Sequence, residues 1–110
     1  MSQLISIIVP AYHSGSTIGQ CIAALVAQQW PCFEIIVVDS SPDDRARAIV
    51  NSIAPAARYF HTHERMQSQA ARNFGVSFAQ GELLVFTDPD IYPPPGWLGE
   101  LAAVYRSIQG

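Results

Sequence analysis

Basic residues are scarce in this sequence. Six Lys and Arg stand against nine Asp and Glu, which gives a formal net charge of -3 at pH 7. Proteins that bind nucleic acid rely on basic patches to neutralise phosphates, so this balance argues against nucleic-acid binding. An acidic chain that handles an anionic ligand needs a local cation, which is either a metal ion or a well-placed Arg.

Cysteine is also rare, and long apolar runs are absent. Cys21 and Cys32 have no CxxC spacing, which argues against a zinc site or a disulfide framework. No stretch approaches the ~20 apolar residues that a membrane-spanning helix needs, and no basic region precedes a long apolar segment at the N-terminus. We therefore expect a soluble chain in the cytoplasm, with membrane association of the full-length protein left open.

What the sequence does contain is enough apolar material for one globular domain over residues 1–110, since 49% of its residues are hydrophobic. Short apolar runs bounded by turn residues predict buried strands. These runs are Leu4–Val9, which Pro10 would end, Phe33–Val38 and Leu83–Phe86. Arg58–His61 is predicted as a further, short strand.

Helical spacing of apolar residues separates these strands. The predicted helices run from a Ser16 or Thr17 cap to Trp30, from a Ser41 cap with Pro42 in the first turn to Pro55, from Met66 to a C-terminal Gly81, and onward from Pro94 or Pro95. Alternation of strand and helix predicts an α/β fold: a doubly wound, mostly parallel sheet with helices on both faces.

The loops after the strands carry the candidate chemistry, because open α/β sheets bind ligands at the carboxyl ends of their strands. These loops are Pro10–Tyr12, Asp39–Ser41 and Asp88–Asp90. They bring an aromatic ring, a hydrogen-bonding acid and an acidic pair to one edge, a combination that suits a nucleotide. Taken alone, Asp88 and Asp90 could also open a solvated turn.

Two phosphate-binding motifs are missing from the sequence. Neither a GxGxxG after the first strand nor a GxxxxGK[ST] loop occurs, which excludes a dinucleotide fold of the usual type and a phosphate-loop NTPase. A divalent metal held by the acidic pair is the natural substitute, because hard cations prefer carboxylate oxygens.

Five segments resemble, in order and spacing, the family-2 glycosyltransferases of GT-A fold, whose nucleotide-binding half is Rossmann-like. They are Ser6–Tyr12, Glu34–Ser41, Ala71–Gly75, Gly81–Glu82 and Thr87–Asp90. The resemblance extends over nearly the whole chain. It implies a transferase that uses a nucleotide-diphospho-sugar donor and inverts the sugar configuration if it is complete.

The resemblance also implies roles for individual residues. Pro10, Ala11 and Tyr12 would line the nucleoside pocket, Asp39 would hydrogen-bond the base, and Arg72 would approach the nucleotide or its phosphates. The remaining two residues form the DxD motif of the family. Asp88 would face the ribose and the metal, and Asp90 would ligate Mg²⁺ or Mn²⁺ on the diphosphate.

Three departures from the family pattern matter. Many members have two adjacent acids where this chain has Asp39 and Ser40, which leaves the preferred base open. Pro89 fixes its own φ and biases Asp88 towards an extended backbone.

Family members are also roughly twice this long, with the acceptor site and catalytic base in the half that would follow Gly110. We therefore expect the N-terminal donor-binding half, truncated, with the catalytic base unknown. A non-catalytic nucleotide-sugar-binding module is the alternative, and an uncovered sheet edge would favour a homo-oligomer.

Overall fold

The computed structural model describes residues 3–62 and 64–109, apart from the side chain of Gln109. Strands and helices alternate along these residues. The elements are β1 (Ile5–Ala11), α1 (Ile18–Val26), β2 (Phe33–Asp39), α2 (Arg45–Ile53), β3 (Arg58–His61), α3 (Ser68–Val76), β4 (Leu83–Phe86) and α4 (Trp97–Gln109).

The strands form one sheet in the order β3-β2-β1-β4, and the β1–β2, β1–β4 and β2–β3 pairs are all parallel. Side chains alternate between the faces of this sheet. Ile7 and Val9 pack in the core that contains residues of α1, α2 and α4, whereas Ile8 packs against Ala71 and Phe74 of α3. The predicted parallel sheet with helices on both faces is confirmed.

The sequence predicted that Pro10 would end β1, and this prediction is wrong. The strand continues to Ala11, and Pro10 pairs in register with Val38. The Ile8 carbonyl accepts a hydrogen bond from Thr87 N–H at 3.2 Å, so Ile8, and Pro10 two residues later, direct their backbone groups towards β4. Because β4 has already ended, no ladder bond requires the N–H that Pro10 lacks.

Three helices begin later than predicted: α2 at Arg45, α3 at Ser68 and α4 at Trp97. At α2 the reason is visible, because the Ser41 hydroxyl bonds to Asp39 and accepts the His13 N–H. The Ser41 hydroxyl therefore links the loops after β1 and β2 and does not cap α2. The segment between Ser41 and the helix is a bend.

Gly81 is not the last residue of a helix, because α3 already ends at Val76. A Cβ atom at Gly81 would lie 2.7 Å from the backbone nitrogen of Ser6 and 2.9 Å from the carbonyl oxygen of Leu4. Glycine is therefore required here so that the loop before β4 can approach β1.

β4 is not a fully buried strand. Val85 is buried, but Leu84 and Phe86 are 37% and 41% exposed. The sequence could not reveal this exposure, because it follows from strand order: β4 is an edge strand, while α3 packs on β1 and β2.

Over the ranges that the structure describes, no helix is both long enough and apolar enough to cross a membrane.

Candidate functional site

The loops that follow β1, β2 and β4 surround a cavity of about 340 Å³ at the carboxyl edge of the sheet. We call it the edge cavity. Most of the predicted site residues meet there. Its lining consists of Pro10, Ala11, Tyr12, Ser40, Met66, Ser68, Ala71, Asp88, Pro89 and Asp90. The structure brings the predicted aromatic ring and acidic pair together in this cavity, but not the predicted hydrogen-bonding acid, Asp39.

The acidic pair lies just beyond β4, and both carboxylates line the edge cavity. Asp88 has a side chain that is 44% exposed, and Asp90 is exposed as well. A tight turn holds them, in which Ile91 N–H donates to the Asp88 carbonyl at 3.0 Å. The two carboxylates are therefore presented to the cavity and to solvent.

The donor set of this pair fits a hard divalent cation. Mg²⁺ in particular is commonly bound by one or two carboxylates together with water and substrate phosphates. Within residues 3–62 and 64–109, no group of three or more His, Cys, Asp or Glu side chains is arranged to hold a metal. Asp88 and Asp90 would thus supply the protein ligands, and the bound ligand and water would supply the others.

Arg72 provides the positive charge beside the acidic pair. Its Nη2 lies 3.6 Å from Oδ1 of Asp88, and its guanidinium carbon lies 5.9 Å from the centre of the Phe86 ring. Its Nε is buried and has no hydrogen-bond partner in the described part of the chain. The structure therefore brings the positive charge of Arg72, whose side chain is 31% exposed, next to Asp88.

Cys21 lies beneath the acidic pair, a proximity that the sequence did not indicate. Its thiol donates to the backbone carbonyl of Asp88 at 3.5 Å. Burial, together with the negative charges of Asp88 and Asp90, raises the pKa of the Cys21 thiol to about 11. The thiol is therefore neutral at physiological pH and behaves as the core residue that the sequence predicted.

Tyr12 forms the aromatic wall of the edge cavity and is 37% exposed. The guanidinium carbon of Arg65 lies 4.3 Å from the centre of its ring, a cation–π contact. The imidazole of His13 meets the Tyr12 ring edge-on, with the ring centres 4.3 Å apart. The Tyr12 ring therefore stands at the cavity and is contacted by Arg65 and His13.

Asp39 is not on the lining of the edge cavity. Asp39 is fully buried and lines a neighbouring cavity of about 360 Å³ near the starts of α1 and α2. Its Oδ1 accepts the N–H and the hydroxyl of Ser41, at 3.0 and 2.6 Å, and Oδ2 accepts the hydroxyl of Tyr59. The pleat explains this orientation: Val37 faces the core beside α1 and α2, Val38 faces α3, and Asp39 follows Val37.

Sequence reasoning did not assign several lining residues: Ser40, Met66, Ser68 and Ala71. Ser68 is the first residue of α3, so the positive end of a helix dipole adjoins the edge cavity. Such helix ends favour phosphates and other anions. The sequence predicted that α3 begins at Met66, and the correct start at Ser68 would have pointed to this helix end as part of the site.

Comparison with known proteins gives a consistent result. The model of the family described as Glycosyl transferase family 2 matches residues 6–108. The chain is 31% identical over 93 residues to "Glycosyltransferase GlyG" of Streptococcus pneumoniae, an alignment that covers 82% of this chain and 31% of GlyG.

Solved structures show the same likeness. The mannosyltransferase PcManGT from Pyrobaculum calidifontis, in complex with GDP-Man and Mn²⁺, superposes with a TM-score of 0.82 at 26% identity, covering 93% of this chain and 32% of PcManGT. S. aureus TarS 1-349 in complex with UDP-GlcNAc superposes with a TM-score of 0.75 at 30% identity, covering 90% of this chain and 30% of TarS 1-349. These neighbours are GT-A fold glycosyltransferases. The chain spans about a third of the length of these relatives.

Proposed function

Because the chain belongs to glycosyl transferase family 2, we propose that it is the donor-binding half of a metal-dependent glycosyltransferase that uses a nucleotide-diphospho-sugar. One observation carries the proposal: Tyr12, Asp88 and Asp90 line a single cavity, and Arg72 lies beside it. The complexes of PcManGT with GDP-Man and Mn²⁺ and of TarS with UDP-GlcNAc support a donor of this class.

Each residue has a definite task in this proposal. Pro10 and Ala11 form the floor of the nucleoside site, and the Tyr12 ring packs against the nucleoside. Asp88 and Asp90 hold Mg²⁺ or Mn²⁺ on the diphosphate, and Arg72 adds positive charge beside it. A bound divalent metal acts as a Lewis acid that stabilises the charge developing on the departing nucleoside diphosphate.

The transfer would invert the configuration of the sugar, as the family resemblance implies. The bond from the anomeric carbon to the donor phosphate breaks while the bond to the acceptor oxygen forms, and the acceptor proton passes to a base. In this proposal, the base and the acceptor site belong to the part of the longer relatives that this chain does not match.

A non-catalytic nucleotide-sugar-binding module is the second candidate. Donor binding is common to both candidates. Transfer or hydrolysis of the sugar by this chain alone would contradict the donor-half proposal and the module alternative together.

Calorimetric titration tests the shared part of the proposal. UDP and GDP are titrated into the chain with and without Mn²⁺, and the same is done with Asp90→Asn. We expect Mn²⁺ to tighten binding, and Asp90→Asn to weaken the metal-dependent binding at least about tenfold, since even outer-shell groups of metal sites are typically worth that much.

Asp44→Asn is the matched control, because Asp44 is an exposed acid beside α2 that does not line the edge cavity. It removes the same charge and is expected to leave both affinities unchanged. Binding that is indifferent to Mn²⁺ and to Asp90→Asn would refute the metal–diphosphate site. Equal losses in Asp90→Asn and Asp44→Asn would show that only net charge matters.

A further inference from the structure

We propose that Asp39 is a positioning residue: held by Tyr59, it fixes Ser41, and Ser41 fixes the Tyr12–His13 turn that walls the edge cavity. This role differs from the direct base contact that the family resemblance implies for Asp39. Its consequence for nucleotide binding rests on the function proposed above, but the arrangement itself can be tested without any ligand.

Both oxygens of the Asp39 carboxylate are already engaged in hydrogen bonds within the chain. It is 0% exposed, Oδ1 accepts two hydrogen bonds from Ser41, and Oδ2 accepts one from Tyr59. The strand pleat turns it away from the edge cavity, whereas the next residue, Ser40, lines that cavity. A base lying on Tyr12 would therefore meet Ser40 rather than this carboxylate.

Ser41 links the Asp39 carboxylate to the loop after β1. Its hydroxyl donates its hydrogen to Asp39 at 2.6 Å, and its oxygen accepts the His13 N–H at 2.7 Å. A parallel tie joins the same two loops, in which Ser40 N–H donates to the Ala11 carbonyl at 3.0 Å. The Asp39 carboxylate thus sets the direction of the hydroxyl that holds the turn.

The Tyr12–His13 turn has a backbone conformation that its surroundings must stabilise. His13 has a φ of 51°, in the left-handed region that non-glycine residues rarely adopt. Such conformations persist only where the surroundings enforce them. The His13 ring supports the Tyr12 ring from the side, so a change in the turn would displace the aromatic wall.

Tyr59 completes the network from the neighbouring strand. Burial raises the pKa of the Tyr59 hydroxyl above its ordinary value, and the hydrogen bond to Asp39 raises it further. The hydroxyl therefore stays protonated and donates to Asp39. The guanidinium carbon of Arg47 lies 4.8 Å from the centre of the Tyr59 ring and supports it from outside. The carboxylate is therefore oriented by groups from two elements.

The ligand-free test is amide hydrogen exchange at His13, measured by NMR on the whole chain. We expect Ser41→Ala to accelerate exchange of this amide by about three- to tenfold, the loss of one neutral hydrogen bond. Ser41→Thr keeps a hydroxyl and is expected to restore protection. The control is Ser52→Ala, which removes an exposed hydroxyl of α2 that donates to the nearby Ile49 carbonyl. Unchanged exchange at His13 in Ser41→Ala would overturn the proposal.

The ligand test compares UDP, CDP and GDP in the presence of Mn²⁺. A positioning role predicts that Ser41→Ala and Asp39→Asn weaken the binding of all three nucleotides by the same factor, to within about twofold. The reason is that a displaced Tyr12 ring weakens the contact with any base. Ser41→Thr is expected to recover the affinity. A selective loss of UDP in Asp39→Asn, with CDP unaffected, would instead establish a direct contact to the uracil N–H and overturn the proposal.

Circular dichroism and thermal unfolding establish that each variant is folded. If Asp39→Asn does not fold, the Ser41 series still decides the question. If the wild-type chain binds none of the nucleotides, the proposed function fails while the His13 exchange result stands, so the two failures are distinguishable.

Discussion

Replacing Gly75 by alanine tests how closely α3 packs on the sheet. A Cβ atom at this position would lie 2.7 Å from Cγ2 of Ile8 and 3.4 Å from Cγ2 of Val38. Ile8 is fully buried in β1, which pairs with β2 on one side and β4 on the other, so its side chain cannot retreat. The added methyl group must displace the helix or the strand, and overpacking of this kind costs about 1–3 kcal/mol.

Gly99 of α4 provides the matched control, because a Cβ atom there would meet nothing within 4 Å. Both glycines lie within helices, where alanine gains roughly 0.5–1 kcal/mol over glycine. This gain cancels when the two variants are compared. We expect Gly75→Ala to be less stable than Gly99→Ala by about 1–3 kcal/mol. Gly19→Ala should fall between them, since its Cβ would lie 3.3 Å from Cγ2 of Ile49.

The measurement is urea unfolding followed by far-UV circular dichroism, with equal m-values required for the comparison. Combining Gly75→Ala with Ile8→Ala removes the clashing methyl group, so Gly75→Ala should cost less in that background. Equal unfolding midpoints for Gly75→Ala and Gly99→Ala would refute the close approach of α3 to β1.

Three further predictions follow from individual residues. Cys21 should resist alkylation at pH 8, whereas the half-buried Cys32 should react. The reason is that burial and the nearby acids raise the pKa of the Cys21 thiol to about 11. Rapid labelling of both thiols would contradict this prediction. Although partial burial opposes ionisation, hydrogen bonds from Ser6, the Gln80 amide and Arg58 lower the pKa of Glu34. Its carboxylate therefore stabilises the fold above the ordinary Glu pKa, and this contribution is lost as the pH falls through the lowered value. Wild type should exceed Glu34→Gln in urea midpoint at pH 7 but not at pH 2, and a difference that persists at pH 2 would exclude this linkage. Finally, Leu84 is exposed on the edge strand β4, so we expect concentration-dependent self-association in light scattering that Leu84→Lys reduces. A wild-type monomer at high concentration would argue against it.

Much of the fold could be predicted from local sequence. Runs such as Ile35–Val38 are β-branched and apolar throughout, and they become a strand segment that is buried on both faces of the sheet. Helical spacing identified α1 and α2 because each has to bury one stripe against the sheet. Once strands and helices alternate, parallel pairing follows, and the loops with Tyr12 and Asp88 must share one edge.

The sequence could not predict features that depend on contacts between distant residues. Strand order left Leu84 and Phe86 on an exposed edge although their composition suggested a buried strand. The start of α2 moved because the Ser41 hydroxyl bonds to Asp39 and to the His13 amide instead of capping a helix. Such competition between partners is decided only when the chain has folded.

The sequence by itself determined which residues reach the carboxyl edge of the sheet, because strand and turn signals are local. Only the tertiary structure decided which side of the sheet each of them serves. Tyr12 and the acidic pair line the edge cavity, whereas Asp39 is buried against Tyr59 and Ser41. The physical reason is the pleat of the strands combined with the register of neighbouring strands. Together they bury the Asp39 carboxylate where Tyr59 of β3 and Ser41 after β2 donate hydrogen bonds to it.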